Sequence, residues 1–251
     1  MPRYDIRTPR LYIDAPLTLG ATVGLESQQV HYLLHVLRLK AGDPVLVFNG
    51  RDGEWRAKLT PAGKRAVLLT IEELTRTQPE PSDLHYWFAP LKHSRLDYMV
   101  QKAVETGASR LQPVLTRHTQ VARVNLDRMR ANAIEAAEQC GILTLPAITP
   151  PGTLEQALAH RDPPRLLIFC DEDADVKDPV AALEAAKKDH SGAMPLAVLI
   201  GPEGGFAEDE RAALLQAPHV LRLALGPRIL RADTAAVAAL ALVQAVLGDW
   251  R

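Results

Sequence analysis

Cysteine is scarce. The 251 residues include two, Cys140 and Cys170, far apart and each in an apolar neighbourhood. That excludes a disulfide framework and a zinc site built on paired thiols, and buried reduced thiols are the expectation. Net charge is also missing. The formal value is −1, so a site for a polyanion must come from local clustering and not from a whole-molecule field. No signal peptide is expected, because the first residues, Met-Pro-Arg-Tyr-Asp-Ile-Arg, have no apolar run behind their charges. The longest apolar stretch, residues 235–247, is broken by Gln244 and is too short to span a bilayer. A soluble, cytoplasmic protein with no membrane segment follows as the expectation. What is present is ordinary for a globular chain: 47% hydrophobic and 24% charged residues. This length suits one large domain, or a small one plus a medium one.

Residues 1–72 read as mostly β. Segments 10–14, 44–48, 54–59 and 66–71 are strand-length, separated by turn chemistry at Ala41-Gly-Asp-Pro, Asn49-Gly-Arg-Asp-Gly53 and Pro61-Ala-Gly-Lys. The Asn-Gly and Asp-Gly pairs predict a hairpin. Residues 27–40 break the β pattern: Val30, Leu33, Leu34 and Leu37 share a helical face, with Ser27 as the cap. A small barrel carrying one helix is the economical picture. His31 and His35 are four apart on that helix, but no third ligand is near, so packing or phosphate contact is preferred over a metal. Arg38 and Lys40, with Arg3, Arg7 and Arg10, give this part a basic edge. Residues 73–83, polar and with two prolines, read as a linker.

From residue 84 onward strand and helix alternate, which implies a mainly parallel sheet covered on both faces. Strands are expected at 85–89, 110–115, 166–170, 196–200 and 221–225, and helices at 96–106, 125–140, 179–188 and 234–247. Gly107 serves as the first helix's stop and Asn125 as a cap. The acidic run Asp171-Glu-Asp-Ala-Asp175 reads as a solvated loop, because the spacing of a calcium loop is missing. The last helix is apolar on nearly every side and must be buried all round, which suggests a subunit interface and a homodimer.

The chain is organised around two turns. Leu196-Ala-Val-Leu-Ile200 runs into Gly201-Pro-Glu-Gly-Gly205, and Leu221-Arg-Leu-Ala-Leu225 runs into Gly226-Pro-Arg-Ile-Leu-Arg-Ala-Asp-Thr234. Apolar runs of five read as strands buried on both faces. Glycine at the strand ends lets backbone N–H groups approach a ligand, and two such turns could line one pocket where open α/β sheets bind ligands. The bland alternative is a pair of ordinary strand-to-helix turns. Between Leu91 and Arg130 there are eight Lys/Arg against three acids, and between Leu221 and Arg231 three arginines and no acid, a clustering that phosphate backbones reward. Arg231 stands immediately before an apolar helix, at its positive end, where a cation is disfavoured; that conflict marks a site candidate. The turns are neither a Walker loop nor a dinucleotide fingerprint, and no serine nucleophile elbow is present. An adenosine-bearing cofactor held by backbone groups becomes attractive by elimination.

These residues closely resemble the SPOUT-class enzymes that methylate N3 of a uridine in small-subunit (16S) ribosomal RNA. The likeness rests on Leu199-Ile-Gly-Pro-Glu-Gly-Gly-Phe206 with Leu225-Gly-Pro-Arg-Ile-Leu-Arg-Ala-Asp-Thr-Ala235. It extends to His31-Tyr-Leu-Leu-His-Val-Leu-Arg-Leu-Lys-Ala-Gly-Asp43, to residues 92–107 and to Ile134-Glu-Ala-Ala-Glu-Gln-Cys-Gly141. The resemblance implies a PUA-like RNA-binding barrel over 1–72 and an α/β methyltransferase domain with a trefoil knot over 84–251. It also implies S-adenosyl-L-methionine as cofactor, a homodimer, the small ribosomal subunit as partner, and no metal. On this chain Leu199, Ile200, Gly201, Pro202, Glu203, Gly204 and Gly205 would cradle the cofactor, with Leu223, Leu225, Gly226, Ile229, Leu230 and Thr234. Arg231 and Asp233 would be catalytic. Arg10, His31, Arg38, Lys92, Arg95, Arg117 and Arg228 would face the RNA. Two positions depart from the family's usual pattern: Asp233 replaces a glutamate, and Ile142 replaces an arginine. The competing readings are a SPOUT ribose 2′-O-methyltransferase, a non-catalytic RNA-binding assembly factor and, more distantly, a nicotinamide oxidoreductase.

Overall fold

Residues 5, 7–61, 67–121, 123–175, 178–188 and 194–250 are described by the computed structural model. Arg3, the residues after Pro61 in the expected turn, and Ala66 lie outside them. The chain divides into two units, residues 1–80 with 137–145, and residues 81–136 with 146–251.

In the first unit the β-rich reading holds. β1 (Arg10–Tyr12), β2 (Thr22–Gly24), β3 (Pro44–Phe48), β4 (Glu54–Pro61) and β5 (Val67–Arg76) form one sheet in the order β1-β3-β4-β5-β2. β3 and β4 are the hairpin that the Asn-Gly and Asp-Gly pairs announced, with Asn49 Oδ1 accepting from the amides of Arg51 and Asp52. β5 continues to Arg76, three residues past the expected start of the linker at 73. Burial alternates along β4, as it must when one face of a sheet meets a core and the other water. That core is Leu11, Leu17, Leu33, Val45, Val47, Ala57, Leu69 and Ile71. A buried carboxylate, Glu54, ties three strands together. It accepts from Arg10 Nε at 2.7 Å and from Arg76 Nη2 at 2.7 Å.

The helix expected over 27–40 is shorter and changes form. α1 (Ser27–His31) starts one residue after Glu26, whose amide donates to Gln29 Oε1 at 3.0 Å, so Glu26 and not Ser27 is the cap. Tyr32–Val36 then widens into a π-helical turn, and Arg38 follows with φ +57°. A side chain held in the left-handed region costs strain that the surrounding structure must offset.

The second unit is a parallel sheet. β6 (Leu84–Phe88), α2 (His93–Glu105), β7 (Arg110–Leu115), α3 (Leu126–Cys140), β8 (Ala147–Ile148), β9 (Gly152–Thr153) and α4 (Leu154–Ala159) come first. β10 (Leu166–Cys170), α5 (Pro179–Lys188), β11 (Leu196–Ile200), α6 (Glu208–Gln216), β12 (Val220–Leu223) and α7 (Ala232–Val246) follow. The sheet order is β12-β10-β11-β6-β7-β8, every recorded pair parallel, with β9 against β7. β6 and β11 are buried at all five positions, as continuous apolar runs require when helices cover both faces. Asn125 caps α3, accepting from the Arg128 amide at 3.0 Å, and Gly107 ends α2 with φ +87°. The short β8, β9 and α4 had no place in the sequence reading.

One expectation fails here. Cys140 is exposed rather than buried. α7 buries Ala236, Ala239, Leu240, Val243 and Gln244, but leaves Ala238, Ala241 and Leu242 partly accessible and Thr234 and Ala245 exposed. Within the single chain one side of this apolar helix is uncovered.

Candidate functional site

β10, β11 and β12 lie side by side, and their registers end together at Cys170, Ile200 and Leu223. Three parallel strands that stop level leave a crevice beyond their carboxyl ends. Both Gly-Pro turns run along it, and they enclose a cavity of about 430 Å³. Of the residues proposed as the cofactor cradle, Ile200, Gly201, Pro202, Glu203, Gly205, Leu223, Leu225, Gly226, Ile229 and Leu230 line this cavity, and so do Arg228 and Arg231. Leu199, Gly204, Asp233 and Thr234 are not on its wall. Leu199 is fully buried in the sheet behind it. Both turns therefore line one cavity.

Gly201 is glycine for want of room: a Cβ there would stand 2.5 Å from Phe206 Cε2 and 2.9 Å from its Cζ. Phe206 cannot easily yield, because it is 5% exposed and meets Phe169 edge-on with ring centroids 4.9 Å apart. Gly226 is glycine for its backbone: φ is +111°, with open space where a side chain would go. A latch from outside the turn holds the Gly204–Gly205 carbonyls. His118 Nδ1 is 2.9 Å from Gly204 O and 3.2 Å from Gly205 O, so it carries the proton and donates to both. The next contacts extend the latch, since Glu210 accepts from the amides of Arg117 (2.8 Å) and Ala207 (2.9 Å). With their carbonyls tied back, the glycine peptides keep one orientation beside the cavity.

The acidic loop after β10 is the part that sequence reasoning missed. Asp171 is 2% exposed, and Cys170, Asp171 and Glu172 all line the cavity. Burial pushes the Asp171 carboxyl up, but hydrogen bonds from Arg211 and Arg222 outweigh it and hold the group below the usual carboxylate range. Arg211 Nε approaches to 2.9 Å and Arg222 Nη2 to 2.7 Å. The solvated-loop reading thus fails for Asp171, which fixes the end of β10 to β12 through Arg222. The oxygens of Asp171, Glu172 and Asp173 lie within 4.8 Å of one another, yet Asp171 is already committed to two guanidinium groups. Burial pushes the Cys170 thiol up to about 12, which leaves it protonated and unreactive. The one available signal was the position of the run, directly after a buried strand in register with the two turns.

Arg231 caps α7 and is exposed toward the cavity, and among the described residues no carboxylate or carbonyl pairs with it. Asp233 turns away: its Oδ1 accepts from the Thr234 amide at 2.9 Å, and its Oδ2 lies 4.0 Å from Arg95 Nε. Arg95 also reaches Glu203 at 3.2 Å, so it bridges the first turn and the start of α7.

The basic segment is less positive than its composition. Arg95 pairs with Glu203, Arg117 with Asp209 and Arg128 with Asp97. Two of these acids, Glu203 and Asp209, lie far along the chain, and their pairing could not be read from spacing along the sequence. Of the RNA-side candidates, Lys92 and Arg228 in the second unit and His31 and Arg38 in the first are exposed. Arg10 is not available to RNA. Its side chain is 6% accessible, and its guanidinium is spent on Glu54, on the carbonyl of Glu138 at 3.3 Å and on that of Asp5 at 3.3 Å.

Level strand ends, paired Gly-Pro turns and an unpaired arginine at a helix start define an α/β fold of the SPOUT methyltransferase kind, joined to a β-rich unit. Residues 78–244 match the family model "RNA methyltransferase domain", and residues 25–72 match "RNA methyltransferase PUA domain". The chain belongs to this RNA methyltransferase family. It is 31% identical over 236 residues to the "Ribosomal RNA small subunit methyltransferase E" of Rickettsia conorii, covering 94% of each chain. The Synechocystis protein of the same name is 32% identical over 241 residues, 95% of this chain and 78% of that one. Among solved structures, the ribosomal RNA small subunit methyltransferase E of Neisseria gonorrhoeae bound to S-adenosyl methionine superposes with a TM-score of 0.85 at 29% identity. That match covers 98% of this chain and all of the other.

Proposed function

We propose that this protein methylates uracil N3 of a specific uridine in small-subunit ribosomal RNA, with S-adenosyl-L-methionine held in the cavity between the two turns. The observation that carries the reading is the unpaired Arg231 guanidinium on the wall of a glycine-cradled cavity. A cavity of about 430 Å³ falls within the usual range for cofactor sites. The cradle fits an adenosine-bearing group in kind, with an open Gly226, apolar walls at Ile200, Leu225 and Leu230, and carboxylates at Glu172 and Glu203.

When bound, the cofactor's sulfonium supplies an electrophilic methyl group. The chain must then deal with uracil, whose N3 carries a proton at neutral pH. Loss of that proton to solvent leaves negative charge spread over N3, O2 and O4, and the charge is neutralised once N3 carries the methyl group. Arg231, with no internal carboxylate to satisfy, is free to stabilise that charge, which is the electrostatic contribution that usually dominates. Holding the base in line with the methyl group adds much of the rest. Asp233 faces Arg95, and we assign it a positioning role that keeps the first turn and the start of α7 in place. A paired uridine uses N3 in its base pair, so the target must be single-stranded or splayed. Arg38, His31, Lys92 and Arg228 are the exposed groups we assign to RNA contact.

The uncovered side of α7 supports a homodimer, and the family likeness supports the trefoil knot and a cytoplasmic place of action. No helix among the described residues is long and apolar enough to cross a membrane. The test is labelled methyl transfer from S-adenosylmethionine to unmodified small subunits, with the product nucleoside identified. N3-methyluridine is expected; ribose methylation would overturn the specificity, and no transfer would favour a binding factor. Arg231→Ala should lower transfer at least a hundredfold, the order seen when a group stabilising developing charge is removed, while cofactor affinity changes little. Equal loss of both would make Arg231 a cofactor or folding residue.

A further inference from the structure

A second cavity of about 330 Å³ opens in the methyltransferase unit, at the edge where β7, the β8–β9 loop and α4 meet. It is separate from the first. Arg110 pairs with His85, and His85 with Ala197, three residues before Ile200. At the usual strand rise and spacing this puts Arg110 about 10 Å back along the sheet and about 10 Å across from the rim of the first cavity. The two open at different places on the unit.

The chemistry of its wall is one-sided. Arg110, Gln112, Thr149, Gln156 and His160 line it, with Pro150 and Pro151 as apolar walls. No carboxylate does. Gln156 Oε1 is used by the Thr153 amide at 3.0 Å, which leaves its amide N–H groups over. His160 Nδ1 donates to the Gln156 carbonyl at 2.7 Å, and Thr149 Oγ1 to Leu111 O at 3.4 Å. Among the described residues Arg110 and Gln112 have no side-chain hydrogen bond or ion pair. The nearby acid Asp162 does not line the cavity and is held by Arg165 at 2.8 Å. The lining therefore offers up to five guanidinium N–H groups and two side-chain amides with no carboxylate to receive them. Arg110 acts on the Asp162 charge without a hydrogen bond to it, so its N–H groups stay open to an anion, and a guanidinium fork matches phosphate oxygens.

We propose that this cavity is a phosphate-binding subsite, with Arg110 and Gln112 as its principal ligands. The phosphate can belong to the RNA backbone or to a free ion, and the experiment separates these sources. The full-length protein is titrated with inorganic phosphate while the His160 ring resonance is followed by NMR, with His160→Asn used for assignment. RNA binding is measured in parallel against salt concentration on a single-stranded oligoribonucleotide. Saturable movement of the His160 signal is expected, and Arg110→Gln should abolish it. If the phosphate is the RNA's, Arg110→Gln should also reduce the slope of log affinity against log salt by about 0.7, the value for one single-strand contact. An unchanged slope with the phosphate response intact in the wild type assigns the site to a free anion. Should Arg110→Gln fold poorly, Gln112→Glu places a carboxylate in the cavity and should abolish the response while S-adenosylmethionine still binds. A His160 signal indifferent to phosphate, together with an unchanged salt slope in both variants, would overturn the proposal.

Discussion

Gly201 and Gly226 stand in corresponding places in the two turns, yet alanine should harm them by different routes. At Gly201 the new Cβ would lie 2.5 Å from Phe206 Cε2, well inside contact distance. The ring is clamped by Phe169, so the strain must be taken up by a shift of the turn or of the aromatic pair. Overpacking of this kind costs about 1–3 kcal/mol. In a chain of this size each kcal/mol lowers the melting temperature by roughly 2–4 °C. At Gly226 nothing stands within 4 Å of the Cβ position, and the whole cost is the φ of +111°. That amounts to about 1–2 kcal/mol for a side chain forced into left-handed backbone. Shrinking the ring separates the two. Phe206→Leu should relieve Gly201→Ala, giving a favourable coupling of about 1 kcal/mol in a double-mutant cycle, and should add independently to Gly226→Ala. Thermal unfolding supplies the cycle, and calorimetric titration with S-adenosylmethionine reports whether the turn has moved. If Gly201→Ala and Phe206→Leu are simply additive, the steric account of Gly201 is wrong.

Three further outcomes follow from individual contacts. His118→Ala should free the Gly204 and Gly205 carbonyls and raise the KM for S-adenosylmethionine several-fold with little change in kcat, and His118→Asn, which keeps a donor, should recover part of the loss. An equal fall in kcat would instead give His118 a part in the transition state. His85 is held near pKa 4, below its ordinary 6.5, by burial first and then by the Arg165 and Arg110 charges. The unfolded chain therefore binds the extra proton first, and stability should fall as pH drops from about 6.5 to about 4, by up to about 3 kcal/mol. His85→Gln should flatten that part of the urea-midpoint profile, and an unchanged profile would place the pH dependence elsewhere. Finally, Ala241→Glu on the uncovered side of α7 should leave the fold intact but convert a dimer to a monomer in light scattering; a monomeric wild type would remove the basis for the dimer.

The strands of the second unit were legible because their chemistry is local. Five consecutive apolar residues such as Leu196–Ile200 admit few structures other than a strand covered on both faces. The hairpin at Asn49 to Gly53 and the stop at Gly107 were legible because turn geometry selects the residue. The helix over 27–40 was misjudged because its period suits an α-helix, while the chain widens into a π-helical turn before Arg38. β8 and β9, two residues each, are too short to leave a pattern, and they exist only because β7 is there to pair with.

By itself the sequence determined the alternation of strand and helix, the two Gly-Pro turns, and Arg231 as a cation misplaced at a helix start. All are properties of neighbouring residues, set by sterics and backbone dihedrals. Charge pairing was decided only in three dimensions. Arg10 looked like a surface cation until Glu54, forty-four positions away, took its guanidinium. Asp171 looked solvated until Arg211 and Arg222 enclosed it. The same holds for Arg95 and Arg117, whose partners come from the first Gly-Pro turn and from α6. Whether a charged group is free to meet a ligand depends on what lies within a few ångströms of it, since Coulomb and hydrogen-bond energies fall off with spatial distance. Folding brings remote partners within that range, so the sequence could mark Arg231 as misplaced, but only the folded chain shows that it and Arg110 lack the hydrogen-bonded carboxylate that Arg95 and Arg117 have.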